Sequence, residues 1–576
     1  MEVVFLSDSS INTTVNRNGI GQGGTITIQT GQLEMGDRSQ LTSSTAGQGD
    51  SGQVIVTASE SIFLSGNSEI TTAVRRNATG DSQQIVLQTP ELTLRGNSQI
   101  SAATLGDGNA GSIDISGADT VRLTNSSIST AINRNGNATE PSNITLDTRS
   151  LQLNNNANIT ASTAGQGNAG NITIENAEEV SLTGSAIASE VLPTARGRGG
   201  TLNINANLLN LSDQSSITAS TQGRGRAGDI FITGVDVNGD RASQIRSTTS
   251  RNRDAGDITI VTSNSVSLDG NSTGIFANTE QNSTGDGGNI AVHTQHLNLT
   301  NRAEISSESL GEGIAGNIDI QADEKLQLEN GRIATSATQS AGGAIEIVAG
   351  DIFLSGTSDI ITSVESGVDS GGNIDISAND IRLRDDSDIR TNVSGGTGDG
   401  GNIVVSANSI IAFDDSDIIS SAPQGRGGDI TLDTAAYFGE NFNPVSFEAD
   451  PDTLEGNDRA DINATGAVTG TVALPDTSFI QNSLSDLPAG LINTEALIAN
   501  SCVARNEDGS STFVITGAGG LPLRPGDLAP SPYPTGEVRV VPDDNSQSWQ
   551  PGDPIIEPDG VYQLPNGELI LSHQCR

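Results

Sequence analysis

Gly165 to Ser189 reads GQGNAGNITIENAEEVSLTGSAIAS. Ile172 and Ile174 are two apart, as are Val180 and Leu182, and Ile187 stands alone a little further on. Apolar residues at that spacing share one face of a strand, while Thr173 and Ser181 turn to the other. The i, i+3, i+4 spacing of an amphipathic helix is absent. Gly, Asn and Ser separate the clusters and supply turn chemistry. The stretch reads as three short strands followed by a polar, Gly-rich connection.

The same pattern recurs outward in both directions. Taking the first apolar residue of each unit gives Ile26, Val54, Ile85, Ile113, Ile144, Ile172, Leu202, Ile230, Ile258, Ile290, Ile318, Ile345, Ile374, Ile403 and Ile430. The shortest step, Ile318 to Ile345, is 27 residues, and the longest, Ile258 to Ile290, is 32. Repeats of this length mark a solenoid. Three short strands cannot bury their inner faces alone, so each unit must form one coil stacked on the next. The expected fold is all-β: a right-handed, three-faced parallel β-helix of about 15 coils, roughly 70 Å long at ~4.8 Å per coil. Neither the L-x-x-L-x-L-x-x-N of a leucine-rich repeat nor the six-residue period of a left-handed β-helix is present. Gly170, Gly228, Gly256 and Gly316 open their units, where a tight turn or a positive φ suits glycine.

Composition agrees with a rod that grows in one dimension. The chain has 576 residues, 28 basic and 70 acidic, for a net charge of −42. Lys325 is its one lysine. Such a charge disfavours nucleic acid and anionic membrane surfaces as partners. No apolar run approaches the ~18 residues of a membrane-spanning helix.

The repeats occupy residues 1–434, an irregular capping or transition segment is expected at 435–487, and a tail at 488–576. Within the tail, LINTEALIANSCVAR (491–505) suggests a short helix with Asn493 as its N-cap. LPLRPGDLAPSPYPTGEV (521–538) reads as an extended linker. EPDGVYQLPNGELILSHQCR ends the chain as a hairpin turning at Pro-Asn-Gly. At the other end, MEVVFLSDSSINTTV aligns with ESIFLSGNSEITTAV (60–74), so Met1 falls inside a coil. There is also no basic segment followed by an apolar stretch, as a signal peptide requires. The expectation is that this chain is the C-terminal part of a longer protein.

The repeat GNAGNITI…VSLTGSAI, followed by GLINTEALIANSCVARNEDGSSTFVITGAGGLPLRPGD (490–527), resembles the cyanobacterial filamentous-haemagglutinin-like exoproteins, some of them labelled S-layer family proteins. The resemblance covers nearly the whole chain. It implies two-partner secretion, in which a signal peptide and an N-terminal domain engage an outer-membrane β-barrel transporter and the passenger folds as a rod outside the cell. It implies an adhesive role at the cell surface, with other cells or cell-surface glycans as partners. In such an oxidising location Cys502 and Cys575 are candidates for a disulfide.

Parallel β-helices also include polysaccharide lyases and hydrolases, so catalysis has to be weighed. Acid/base cleavage of a glycoside uses two carboxylates ~5 to 10 Å apart. Asp385, Asp386 and Asp388 in RDDSDIR return one coil later as Asp414, Asp415 and Asp417 in FDDSDII. Gly66-Asn67-Ser68 and Asn154-Asn155-Asn156 fill the same slot elsewhere, which points to a tolerant polar turn. The Gly-His-Gly element of a pectin hydrolase is missing. His293 and His296 have metal-ligand spacing without a third ligand. GTGDGGNI (396–403) misses the calcium nonapeptide register. No Gly-rich loop ends in the G-K-[ST] of a phosphate site. Sequons such as Asn77-Ala78-Thr79 and Asn143-Ile144-Thr145 are expected by chance in so Asn-, Ser- and Thr-rich a chain. The sequence therefore assigns no catalytic, cofactor or metal residue, and favours an adhesive rod over an enzyme.

Overall fold

The computed structural model describes residues 2–442, 453, 454, 456–475, 539, 540, 560–563 and 569–572. By contact the chain divides into two compact units, Met1–Thr477 and Ser478–Arg576.

The first unit is a parallel β-solenoid. Each of the fifteen apolar positions read from the sequence is the first residue of a strand, from Ile26 to Ile430. They stand directly on one another: Ile144 pairs with Ile172, Ile172 with Leu202, and Leu202 with Ile230. The first two expected strands of most coils are joined into one of about a dozen residues, such as Ile172–Thr183. Its register slips between Ile174 and Ala177, so a bulge makes the corner that a turn was expected to make. Two coils keep the strands separate. In one of them Pro90 stands between Ile85–Gln88 and Glu91–Arg95, and its missing N–H interrupts the ladder. The third cluster forms a second sheet of short strands, in which Ile187 of Ala186–Ala188 pairs with Ile159 and Ile217.

The inward residues build one apolar core running from Ile26 to Ala464. Ile172, Ile174, Val180, Leu182 and Ile187 are all fully buried. Each such side chain contributes about 1.5–3 kcal/mol of burial. Because the column repeats aliphatic residues, every coil covers its neighbour's apolar face.

The glycines that open the units have a different reason from the one expected. Gly200, Gly228 and Gly256 do not adopt positive φ; a Cβ on Gly228 would lie 2.0 Å from the Gly200 carbonyl oxygen, and one on Gly256 2.1 Å from that of Gly228. Close approach of successive backbones excludes a side chain here. An interior serine latches the turn: Ser247 Oγ donates to the Gly228 carbonyl at 2.7 Å and accepts the Gly256 N–H at 3.0 Å.

At the start, Val3–Ser7 pairs with Gln32–Gly36, the second half of a coil. At the other end the stack continues past Asp433. Ile430–Gly439 pairs with Ile403–Ala412, and after a longer connection Ile462 stands on Ile418 and Val472 on Ile430. The sequence hides this further coil because Val472 follows Ile430 by 42 residues and its strands are only two or three residues long.

In the second unit Gly560–Gln563 and Leu569–Ser572 pair antiparallel, and Arg539–Val540 pairs parallel to the first of them. The Pro-Asn-Gly turn, the helix expected at 491–505, the Pro-rich segment, and Cys502 and Cys575 lie outside the described residues. Among the described residues no helix is long and apolar enough to cross a membrane.

Candidate functional site

The Asp-rich repeats at Asp385 and Asp414 occupy one corner of the solenoid. Asp385, Asp386, Asp414 and Asp415 all have φ between 55° and 64°, as do Asn155 and Asn156 in their coil. Asn and Asp tolerate this left-handed conformation, which explains why they share the slot with glycine. The turns stack by backbone bonds, Asp386 N–H donating to the Asp414 carbonyl at 2.8 Å.

Two residues on, Asp388 and Asp417 enter the short-strand column. They are 1% and 0% exposed, and Asp461 of the next coil is also 0%. Each passes an oxygen along the stack: Asp388 Oδ1 accepts the Asp417 N–H at 2.7 Å, and Asp417 Oδ1 accepts the Asp461 N–H at 2.7 Å. Arg390 pairs with Asp388, and Arg459 with Asp461 at 2.6 Å. Asp415 ties down the inserted connection by accepting the backbone N–H groups of Gly456 at 2.5 Å and Asn457 at 3.0 Å. Burial pushes the Asp386 and Asp359 carboxyls above the usual range; Asp415 adds to the first shift, while Arg390 and Arg332 oppose the second. The Asp388, Asp415 and Asp417 carboxylates hold coils together.

The other sequence candidates are dispersed. His293 and His296 both reach the surface of Ile290–Thr300, where His296 Nε2 lies 3.2 Å from Glu324 Oε2. Within Gly396–Ile403, Asp399 Oδ1 accepts the Arg426 N–H at 2.9 Å. Asn143 Oδ1 accepts the Asn171 N–H at 3.1 Å, one step in an Asn/Asp ladder ahead of the long strands. Among the described residues no three His, Cys, Asp or Glu side chains converge as a metal site would require.

A feature the sequence reading missed lies on the outward face of the middle coils. The strands Leu202–Ser212, Ile230–Asp240, Ile258–Asp269 and Ile290–Thr300 bound a cavity of about 390 Å³. Asn210, Asn238, Ser267 and Asn298 stand on successive coils there. Asn238 Nδ2 donates to Asn210 Oδ1 at 3.0 Å, and Asn298 Nδ2 to Ser267 Oγ at 3.2 Å. Asp240 and Asp269, paired in register, line the same cavity. Thr300 Oγ1 and Asn301 Nδ2 each donate to Asp269 Oδ1 at 2.6 Å, holding that carboxyl below the usual range. Asp240 Oδ1 is buried and has no hydrogen-bond partner. Gly239, between Leu211 and Leu268 in register, stands in the inward column rather than on this face.

A second cavity, about 340 Å³, lies on the first halves of Ile172–Thr183, Leu202–Ser212 and Ile230–Asp240, beside Asn203, Asn205 and Phe231. Phe231 is 41% exposed.

Comparison with protein-family models, with curated proteins and with solved structures finds no match to this chain. Function has to be read from its own residues.

Proposed function

We propose that this chain is the rod of a secreted or cell-surface adhesin of the haemagglutinin-like kind, mediating attachment or matrix contacts outside the cell. The observation that carries the reading is the solenoid itself. Its inner ladders repeat coil after coil, while the outward residues vary among Asn, Ser, Thr, Asp, Phe and Val along each column. A scaffold of that kind offers many modest contact surfaces, and linked weak contacts gain strength by effective concentration. Other cells and cell-surface glycans are the proposed partners, and an outer-membrane two-partner-secretion transporter is the proposed export partner of the full-length protein.

The test is incubation of the chain with intact cells and with a panel of polysaccharides, following binding and product release together. Saturable binding without products is the expected outcome. Release of oligosaccharides that is abolished by Asp385→Asn or Asp414→Asn would replace this reading with a β-helix polysaccharide lyase or hydrolase.

A further inference from the structure

The few basic residues of this acidic chain are not spread evenly. Three successive Gly-rich turns, LPTARGRGG (192–200), QGRGRAGD (222–229) and SRNRDAGD (250–257), hold six arginines against three aspartates. The turn that follows, EQNSTGDGG (280–288), holds two acids and no base. All six arginines are exposed. They stack in two columns. Arg224 stands in register on Arg196, which stands on Gln166. In the second column Arg226 stands on Arg198, the Gly199 N–H donating to the Arg226 carbonyl at 2.9 Å. Arg251 and Arg253 extend the block to the third coil, where Arg251 Nε donates to the Gln222 carbonyl at 3.0 Å. Gly197 and Gly225 lie between the two columns and leave a strip of bare backbone there.

The fold does not ask for these charges. On either side of the block the second column holds a side chain that latches the next coil: Asn168 Oδ1 accepts the Arg198 N–H at 2.9 Å, and Asp254 Oδ1 accepts the Asp286 N–H at 3.2 Å. Arg198 and Arg226 have no acceptor to offer, so two consecutive coils give up that latch. Arg226 lies 3.1 Å from Asp257 and 3.6 Å from Asp229, but among the described residues Arg196, Arg198, Arg224, Arg251 and Arg253 have no carboxylate partner. Like charges stacked rung on rung repel. An anion laid along them relieves the repulsion.

The extent of the patch selects the anion. Three coils span ~10 Å, about one screening length at physiological salt, in a chain whose net charge is −42. A membrane, a nucleic-acid duplex or a second copy of this chain would press its bulk against the surrounding acids as well. A single extended polymer meets the arginines alone. The planar fork of arginine matches a carboxylate, and the glycine strip leaves room for a flat ring between the columns.

We propose that these arginine turns bind a linear acidic polysaccharide, a polyuronate, through its carboxylates. The inference rests on the adhesive reading above and names the class of glycan and the place that holds it.

The experiment measures binding of the full chain to immobilised polygalacturonate and polymannuronate over a salt series. Dextran, dextran sulfate and phosphatidylserine vesicles are the comparisons, and attachment to whole cells is followed in parallel. The principal variant, Arg196→Gln with Arg198→Asn, copies Gln166 and Asn168 of the preceding coil and so restores the latch. Arg224→Gln tests the next coil, and Arg149→Gln, an exposed arginine already paired with Asp119, is the control. The expected result is uronate binding that weakens with salt, with none to dextran. It should fall about 10-fold in the double variant and about 3-fold in Arg224→Gln, with the melting temperature unchanged or raised, and stay the same in the control. Uronate binding that survives both variants overturns the site and leaves the adhesive reading standing. Attachment to cells without uronate binding does the same, and absence of both overturns the two together. Dextran sulfate or vesicles bound more tightly than the uronates, with the same loss in the double variant, would give the patch to another anion and overturn the polyuronate. A lowered melting temperature in both variants would make the arginines structural and overturn the proposal.

Discussion

At the Asp388, Asp417 and Asp461 rungs, carboxylates on successive coils face the next coil's N–H or an arginine. At the Asp240 and Asp269 rungs, carboxylates on successive coils line an open groove, and one buried oxygen has no donor. Both regions stand on the same backbone stack, and both read in sequence as polar turns or strand ends rich in Asp and Ser. The difference teaches that the number of stacked acids says little about a site. What matters is whether their acceptor capacity has already been filled from within.

If the regions differ only in their outer side chains, the shared glycine column must matter equally to both. Gly228→Ala in the middle coils and Gly401→Ala near the Asp turns place a Cβ 2.0 Å and 1.8 Å from a carbonyl oxygen of the preceding coil. Each should cost at least about 3 kcal/mol, seen as local loss of hydrogen-exchange protection over the neighbouring coils. A strong effect in one region alone would mean that the stacks are not equivalent.

The next largest effect separates the regions. Asp417→Ala leaves the buried Asp461 N–H without its acceptor, and should destabilise the last coil by about 2–4 kcal/mol. Faster exchange and proteolysis across Asp461–Ala473 would report it. Asp240→Asn should instead shift the melting temperature little or raise it, a change within about 1 kcal/mol, because no donor is lost. Equal destabilisation by these two variants would erase the contrast.

The smallest effect is one of opposite signs in pH. Asp386 and Asp359 have raised carboxyl pKa values from burial. They bind a proton more tightly folded than unfolded, so they weaken the fold as pH rises from the unfolded value of ~3.9 through the raised folded value. Acidification relieves that strain. Asp269 is lowered by Thr300 and Asn301, and Asp429 by Thr471 and Arg426 to about 2. Their contributions are present above ~3.9 and are lost as pH falls through the depressed folded values. Protection from hydrogen exchange, measured between pH 6 and pH 2.5, should therefore fade first around Asp269 and Asp429, with the Asp359–Asp386 coils holding longer. Uniform loss along the solenoid would show that total charge governs acid stability.

The fold was legible because it is written by repetition. Fifteen apolar positions spaced by one coil each open a strand, since any slip by one residue would turn a whole inward set to solvent. The joining of two expected strands through a bulge was not legible, because a corner of one or two extra residues leaves the alternation on either side intact. The coil at Ile462 and Val472 was hidden by the length of the connection before it. The tolerant nature of the Asp385 and Asp414 turns could be read from what replaces them in other coils, but the burial of Asp388 and Asp417 could not.

Sequence alone thus determined the solenoid, its period, its inward ladders and its acidic, lysine-poor surface, because burial of apolar residues two apart leaves one way for short strands to stack. Tertiary structure alone decided why the glycines are needed and which carboxylates accept from the next coil. Those outcomes depend on atoms from residues 19 to 44 positions away meeting within a hydrogen bond's length, and no local pattern of residue types specifies that encounter.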